Sequence, residues 1–136
     1  MKIPLPDRYF DWLNKTNNAY CVKFADRFWN ISRRNELEEE IRIDRESVPS
    51  WQQLKAYGAM YKEINQQNAT CDQDGNQFEL SRLSDCIVIG EDNGEPLFCD
   101  PSDSYSIWCY YPDGGDVKYL SSSLDVFIAK AELIYD

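Results

Sequence analysis

Four apolar runs separated by polar loops set the pattern of the second half of the chain. The runs lie near 86–90, 96–100, 105–111 and 116–120. Asn93-Gly94 and Asp113-Gly114-Gly115 stand between runs and favour hairpin turns, because Asn, Asp and Gly tolerate a positive φ. The pattern therefore predicts a four-stranded antiparallel meander.

In the third run, successive side chains alternate between two faces that are both apolar. Ile107, Cys109 and Tyr111 face one way. Trp108 and Tyr110 face the other. Two apolar faces favour a sheet that is covered on both sides. The alternative is a bare Trp108/Tyr110 face that serves as a binding platform.

Apolar residues at helical spacing predict a helix near each end of the chain and one in the middle. Near the N-terminus, Tyr9, Trp12 and Leu13 share one face. Pro6 fits the first turn of this helix, and Asn17-Asn18 ends it.

The middle helix is predicted from Ser50, as its N-cap, to Ile64. Gly58 inside a helix costs ~1 kcal/mol relative to Ala, so we expect a close contact there. The apolar stripe consists of Trp51, Leu54, Gly58, Tyr61 and Ile64.

The clearest helical pattern is "SSSLDVFIAKAELIYD" at the C-terminal end. Ser122 and Asp125 stand at capping-box spacing. The apolar stripe, which should lie on the meander, consists of Leu124, Phe127, Ile128, Ala131 and Ile134.

The rest of the chain adds two short strands around Ala25-Asp26-Arg27, a helical turn within 33–43 and a polar loop over 65–82. A length of 136 residues fits a single domain spanning 1–136. The predicted fold class is α+β, an antiparallel β-meander sheet packed by N-terminal, middle and C-terminal helices.

The composition argues against a metal site, a cofactor and catalysis. The chain has no histidine, and its five cysteines form no CxxC pair. An EF-hand loop needs an oxygen ligand at position 1 and Glu at position 12. A frame on Gly75 puts Ser81 at position 12, and a frame on Gly94 puts Ile89 at position 1. We therefore expect no metal, no cofactor and no enzyme.

The formal net charge of −10 lies almost entirely in the second half. Residues 85–136 hold eleven acidic and two basic residues. Such a surface repels phosphate, so we expect no nucleic-acid and no membrane partner. A basic protein would be attracted, unless the acidity serves solubility alone. Asp7 and Asp11 stand where a signal peptide is apolar, which predicts a cytoplasmic protein.

Two stretches resemble the SUKH superfamily, which includes Smi/Knr-type fungal regulators of cell-wall synthesis and many bacterial immunity proteins. The first matches a Leu-Pro-x-x-Tyr-x-x-aromatic-Leu helix at Leu5, Pro6, Tyr9, Trp12 and Leu13. The second runs in order through the meander and the last helix. Its matching positions are Ile89 to Gly94, Leu97 to Asp100, Ile107-Trp108, and Ser123, Leu124, Phe127 and Ile128.

The resemblance implies an α+β fold, no catalytic residues and a protein-binding function. Bacterial members are mostly immunity proteins that block a toxin, often a nuclease, in the cytosol. The expected partner is therefore a basic toxin domain. The alternative is a SUKH-type regulator or scaffold that binds a cellular protein and neutralises no toxin. An enzyme that uses carboxylates is a third and weaker possibility.

The acidic loops then become the candidate partner-binding surface. In a meander, the turns at 91–95 and 112–116 lie at one end of the sheet and the turn at 101–104 lies at the other. Asp103 should therefore stand apart. The predicted acidic rim consists of Glu91, Asp92, Glu95, Asp113 and Asp116.

Overall fold

A large antiparallel sheet organises the computed structural model, which describes residues 3–16 and 19–135. The strands are β1 (Cys21–Phe24), β2 (Arg27–Ile31), β3 (Glu40–Ile43), β4 (Glu46–Pro49), β5 (Ala69–Cys71), β6 (Gln77–Glu79), β7 (Ile87–Asp92), β8 (Glu95–Asp100), β9 (Ser106–Tyr111), β10 (Asp116–Ser121) and β11 (Glu132–Ile134). The helices are α1 (Asp7–Lys15), α2 (Arg34–Glu38), α3 (Gln53–Asn65), α4 (Leu80–Ser84) and α5 (Leu124–Lys130).

Seven strands form the main sheet, in the order β10-β9-β8-β7-β2-β1-β11. The fold is α+β, as predicted. The meander from β7 to β10 is confirmed, because these strands pair antiparallel in chain order. Its turns use the expected residues: φ is 56° at Asn93, 83° at Gly94 and 78° at Gly115.

The β1–β2 hairpin extends the meander at β7, and its two predicted strands are confirmed. Ala25 and Asp26 form its turn with φ of 53° and 60°. Where β2 meets β7, Ile31 stands opposite Gly90. A Cβ added at Gly90 would lie 2.6 Å from the carbonyl oxygen of Asn30, so the close approach of the two strands requires glycine there.

Both faces of the meander are covered, and each face carries its own core. Trp108 is 7% exposed and Tyr110 is 2% exposed, so they do not form a bare platform. The core against α1 and α5 includes Tyr9, Leu13, Ile107, Cys109, Leu124 and Phe127. The core against α3 and α4 includes Leu54, Leu83, Val88, Phe98, Trp108 and Tyr110.

The C-terminal helix is shorter than the sequence pattern predicts. It ends at Lys130, and residues 132–134 form β11, which pairs with β1. Edge pairing with β1 satisfies backbone groups of that strand, and this outweighs the helical spacing of Ile134. The N-cap is Ser123, whose Oγ accepts a hydrogen bond from the backbone N–H of Val126 at 3.1 Å, so the predicted capping box at Ser122 and Asp125 is wrong.

The middle helix also departs from its prediction at both ends. Residues 50–52 form a 3₁₀ turn and α3 starts at Gln53, so Ser50 is not the N-cap of the α-helix. Ile64 is 72% exposed, so it does not belong to the buried stripe. The close contact expected at Gly58 is not found, since an added Cβ would lie 3.7 Å from the Leu83 side chain of α4, an ordinary van der Waals distance that leaves room for alanine.

The region predicted as a polar loop over 65–82 contains the β5–β6 hairpin and the start of α4. The β3–β4 hairpin was not predicted either. The helical turn predicted within 33–43 is confirmed as α2. The predicted helix end at Asn17-Asn18 lies outside the described residues. Within the described ranges, no helix is long and apolar enough to span a membrane.

Candidate functional site

Two hairpin turns of the meander place the predicted acidic rim at one end of the sheet. The β7–β8 turn joins the paired residues Asp92 and Glu95, and the β9–β10 turn joins Tyr111 and Asp116. Neighbouring strands lie about 4.8 Å apart, so the row from β7 to β10 spans about 14 Å. The rim is therefore wide enough to contact one face of a protein partner.

Asp103 lies at the opposite end of the sheet, as predicted. It follows β8 and contacts Arg82, whose Nη2 lies 3.3 Å from the Asp103 carboxylate. Arg82 also pairs with the fully buried carboxylate of Asp100 and lies over the ring of Phe78 at 4.2 Å. Both carboxylates are therefore paired with Arg82, but only Asp100 is buried, since the Asp103 side chain is 56% exposed.

Arg27 lies beneath the rim and was not predicted to take part in it. Its guanidinium donates to Asp92 at 2.9 Å and to Glu95 at 2.8 Å. It also lies over the Trp29 ring, 4.4 Å from the centroid. Two of the five rim carboxylates are therefore already paired with a cation, and the rim carries less net charge than the sequence suggests.

Glu91 forms no ion pair among the described residues, and its carboxylate fixes the β7–β8 turn. One carboxylate oxygen accepts a hydrogen bond from Asn30 Nδ2 at 3.2 Å. The other accepts the backbone N–H of Gly94 at 3.0 Å. Both donors are neutral, so they orient the carboxylate without neutralising it.

Asp113 and Asp116 flank the second turn of the rim. Asp113 is exposed, and Asp116 accepts a hydrogen bond from the side-chain amide of Gln73. Thr70 Oγ1 donates to the carbonyl of Gly115 at 2.6 Å, which ties this turn to β5. Among the described residues, no Lys or Arg forms an ion pair with Glu91, Asp113 or Asp116.

Burial makes the thiols of Cys86, Cys99 and Cys109 poor nucleophiles at neutral pH. Burial raises the pKa of Cys109 to about 11, although the nearby charge of Arg27 lowers it. Burial also raises the pKa of Cys86 and Cys99, and the charge of Asp100 adds to both shifts. In the parts of the chain that the structure describes, no three His, Cys, Asp or Glu residues cluster as metal ligands.

The comparison with known protein families covers nearly all of the chain. The model of the SMI1/KNR4 family (SUKH-1) matches residues 1–130. No curated protein and no solved structure matches the chain. The match extends from before α1 to the last residue of α5, so it includes both stretches on which the SUKH resemblance rested and confirms that resemblance.

Proposed function

The chain belongs to the SMI1/KNR4 family (SUKH-1), and from that membership we propose that it is an immunity protein that binds and neutralises a basic bacterial toxin domain in the cytoplasm. Membership by itself supports an immunity or regulatory protein. Toxin neutralisation is the more specific proposal, and it involves protein–protein contact without catalysis by this chain.

The observation that carries the proposal is the acidic rim. Glu91, Asp113 and Asp116 lie in or beside two turns at one end of the sheet and form no ion pair with Lys or Arg among the described residues. Toxins that cleave nucleic acid carry positive charge where they bind phosphate. Carboxylates at fixed positions can pair with those cations and cover the surface that the nucleic acid needs.

The rim also predicts how the complex forms. Complementary charge raises the rate of encounter, and salt reduces this effect because the rim carboxylates are exposed or half-buried and remain within reach of solvent ions. Asn30 and the Gly94 backbone hold Glu91, and Arg27 holds Asp92 and Glu95. A surface held in this way loses little side-chain entropy on binding.

Co-expression tests the proposal directly. A toxin domain encoded beside this chain should stop bacterial growth, and this chain should restore it. The rim variant replaces three acids with amides: Glu91→Gln, Asp113→Asn and Asp116→Asn. A matched control removes the same charge from exposed positions at the end of α2, just after it and in β4: Glu38→Gln, Glu39→Gln and Glu46→Gln.

The proposal expects rescue by the wild type and the control, and weaker rescue by the rim variant. If the wild type neither binds nor rescues, the immunity role is wrong and the family alternative, a regulator of a cellular protein, takes its place. If the rim variant and control rescue equally, the toxin binds elsewhere on the chain.

A further inference from the structure

A small cleft opens beside the acidic rim, between α3 and the β9–β10 turn. Its volume is about 240 Å³. Three tyrosines give it aromatic walls, and we call it the tyrosine cleft. These walls are Tyr57 and Tyr61 of α3 and Tyr110 of β9, and the turn contributes Asp113.

The turn and the helix fix the positions of these rings. Tyr57 and Tyr110 lie 5.2 Å apart between ring centroids, with the rings tilted by 41°. Tyr61 covers the turn so closely that a Cβ added at Gly115 would lie 2.4 Å from its ring. Gly115 also has a φ of 78°, so both its conformation and its lack of a side chain allow Tyr61 to lie there.

The hydroxyl of Tyr110 is available to a ligand. Tyr110 is 2% exposed and lines the cleft, so the small accessible part faces the cleft. Its hydroxyl has no hydrogen-bond partner among the residues that the structure describes. This hydroxyl is not among the fully buried unpaired atoms of the described residues, so it can be reached from the cleft and can donate or accept a hydrogen bond there.

The electrostatics of the tyrosine cleft favour a cation. Burial raises the pKa of Tyr110, and the hydroxyls of Tyr57 and Tyr61 and the carboxylate of Asp116 raise it further. These groups therefore disfavour a second negative charge in the cleft. Asp113 stands at its wall, and none of the described residues that line it is Lys or Arg.

The size of the cleft limits the ligand. Small-molecule sites usually enclose about 300–1,000 Å³, so this volume suits a single inserted side chain. Tyrosine faces attract cations, and a planar guanidinium stacks on them better than an ammonium does. Tyr and Arg are also the residue types that most often anchor protein interfaces.

We propose that the tyrosine cleft receives an arginine side chain of the protein partner, stacked on Tyr57 and Tyr61, with its guanidinium hydrogen-bonded to the Tyr110 hydroxyl and paired with Asp113. This inference rests on the proposed function, because it supplies the anchor beside the acidic rim. The rim steers the basic partner, and the cleft fixes its register.

An NMR titration with N-acetyl-arginine methylamide tests the cleft without any toxin. We expect saturable shifts at Tyr110 and Gly115, and no comparable shifts with the N-acetyl-norleucine analogue. Tyr57→Leu should weaken probe binding by about 2-fold to 30-fold, the range of one cation–π contact. Asp113→Asn should weaken it by about 1.5-fold to 5-fold, as for an exposed ion pair.

Asp26→Asn is the matched control, because Asp26 is exposed in the β1–β2 turn at the same end of the sheet. It lies several strands away, beyond the screening length of about 8 Å at physiological salt, so its effect should be negligible. Equal binding of the arginine and norleucine probes overturns the inference. So does an equal effect of Asp26→Asn and Asp113→Asn.

A second arm separates this inference from the proposed function. If the chain neutralises its toxin but Tyr57→Leu and Asp113→Asn leave the toxin affinity unchanged, the tyrosine cleft is not the anchor. If the arginine probe binds in the cleft but no toxin is neutralised, the immunity role fails, and the cleft remains a guanidinium site for a different protein partner.

Discussion

Phe127 joins α5 to the sheet, and its truncation gives the sharpest test of the packing. The side chain is fully buried and lies 5.4 Å from the Trp12 ring and 4.8 Å from the Phe24 ring, measured between centroids. Phe127→Ala removes both edge-to-face contacts and leaves a cavity among α1, β1 and α5. The expected loss of unfolding free energy is about 3–5 kcal/mol.

Urea unfolding, followed by tryptophan fluorescence, measures this loss. With an m-value of about 2 kcal/mol/M, the midpoint should fall by about 2 M. Phe28→Ala is the matched control, because Phe28 lies on the same sheet but is 54% exposed. It should change the unfolding free energy by less than about 1 kcal/mol. Equal midpoints for the two variants would refute the packing of α5 described here.

Three further predictions concern the turns, the thiols and metal independence. Gly115→Ala should lower the melting temperature more than Gly94→Ala does. Both glycines have positive φ, but only a Cβ at Gly115 would meet the Tyr61 ring. Equal drops in melting temperature would contradict this contact. At pH 8 a thiol reagent should modify exposed Cys71 rapidly in the native protein. Cys109 is buried and its pKa is raised to about 11, so it should react only after the protein unfolds. Rapid modification of Cys109 in the native protein would contradict its burial. EDTA and reductant should each leave the melting temperature unchanged, since the five cysteines are free, and a drop of several degrees would reveal a bound metal or a disulfide.

The meander could be predicted from the sequence because its signals are local. β7 and β8 are each a nearly continuous run of buried residues within six positions, and each tight turn has residues that accept positive φ. Such signals do not depend on which distant element packs nearby. The same local chemistry predicted that the rim turns share one end of the sheet.

The features that sequence reasoning missed depend on distant contacts. β11 forms because Glu132–Ile134 meet the open edge of β1, more than a hundred residues earlier in the chain. Arg27 enters the rim because β2 pairs with β7, sixty residues later. Helical spacing placed Tyr61 in a core stripe, and its ring does pack against that core. The same ring also covers Gly115, in a turn that the α3 pattern cannot specify.

The association rate with the cognate toxin domain tests the role of the acidic rim most directly. Stopped-flow mixing at low and high salt should show a wild-type rate that falls steeply with ionic strength. The variant with Glu91→Gln, Asp113→Asn and Asp116→Asn should associate about 10-fold more slowly at low salt and should respond less to salt. An unchanged rate and an unchanged salt dependence in this variant would contradict a toxin-binding role for the rim.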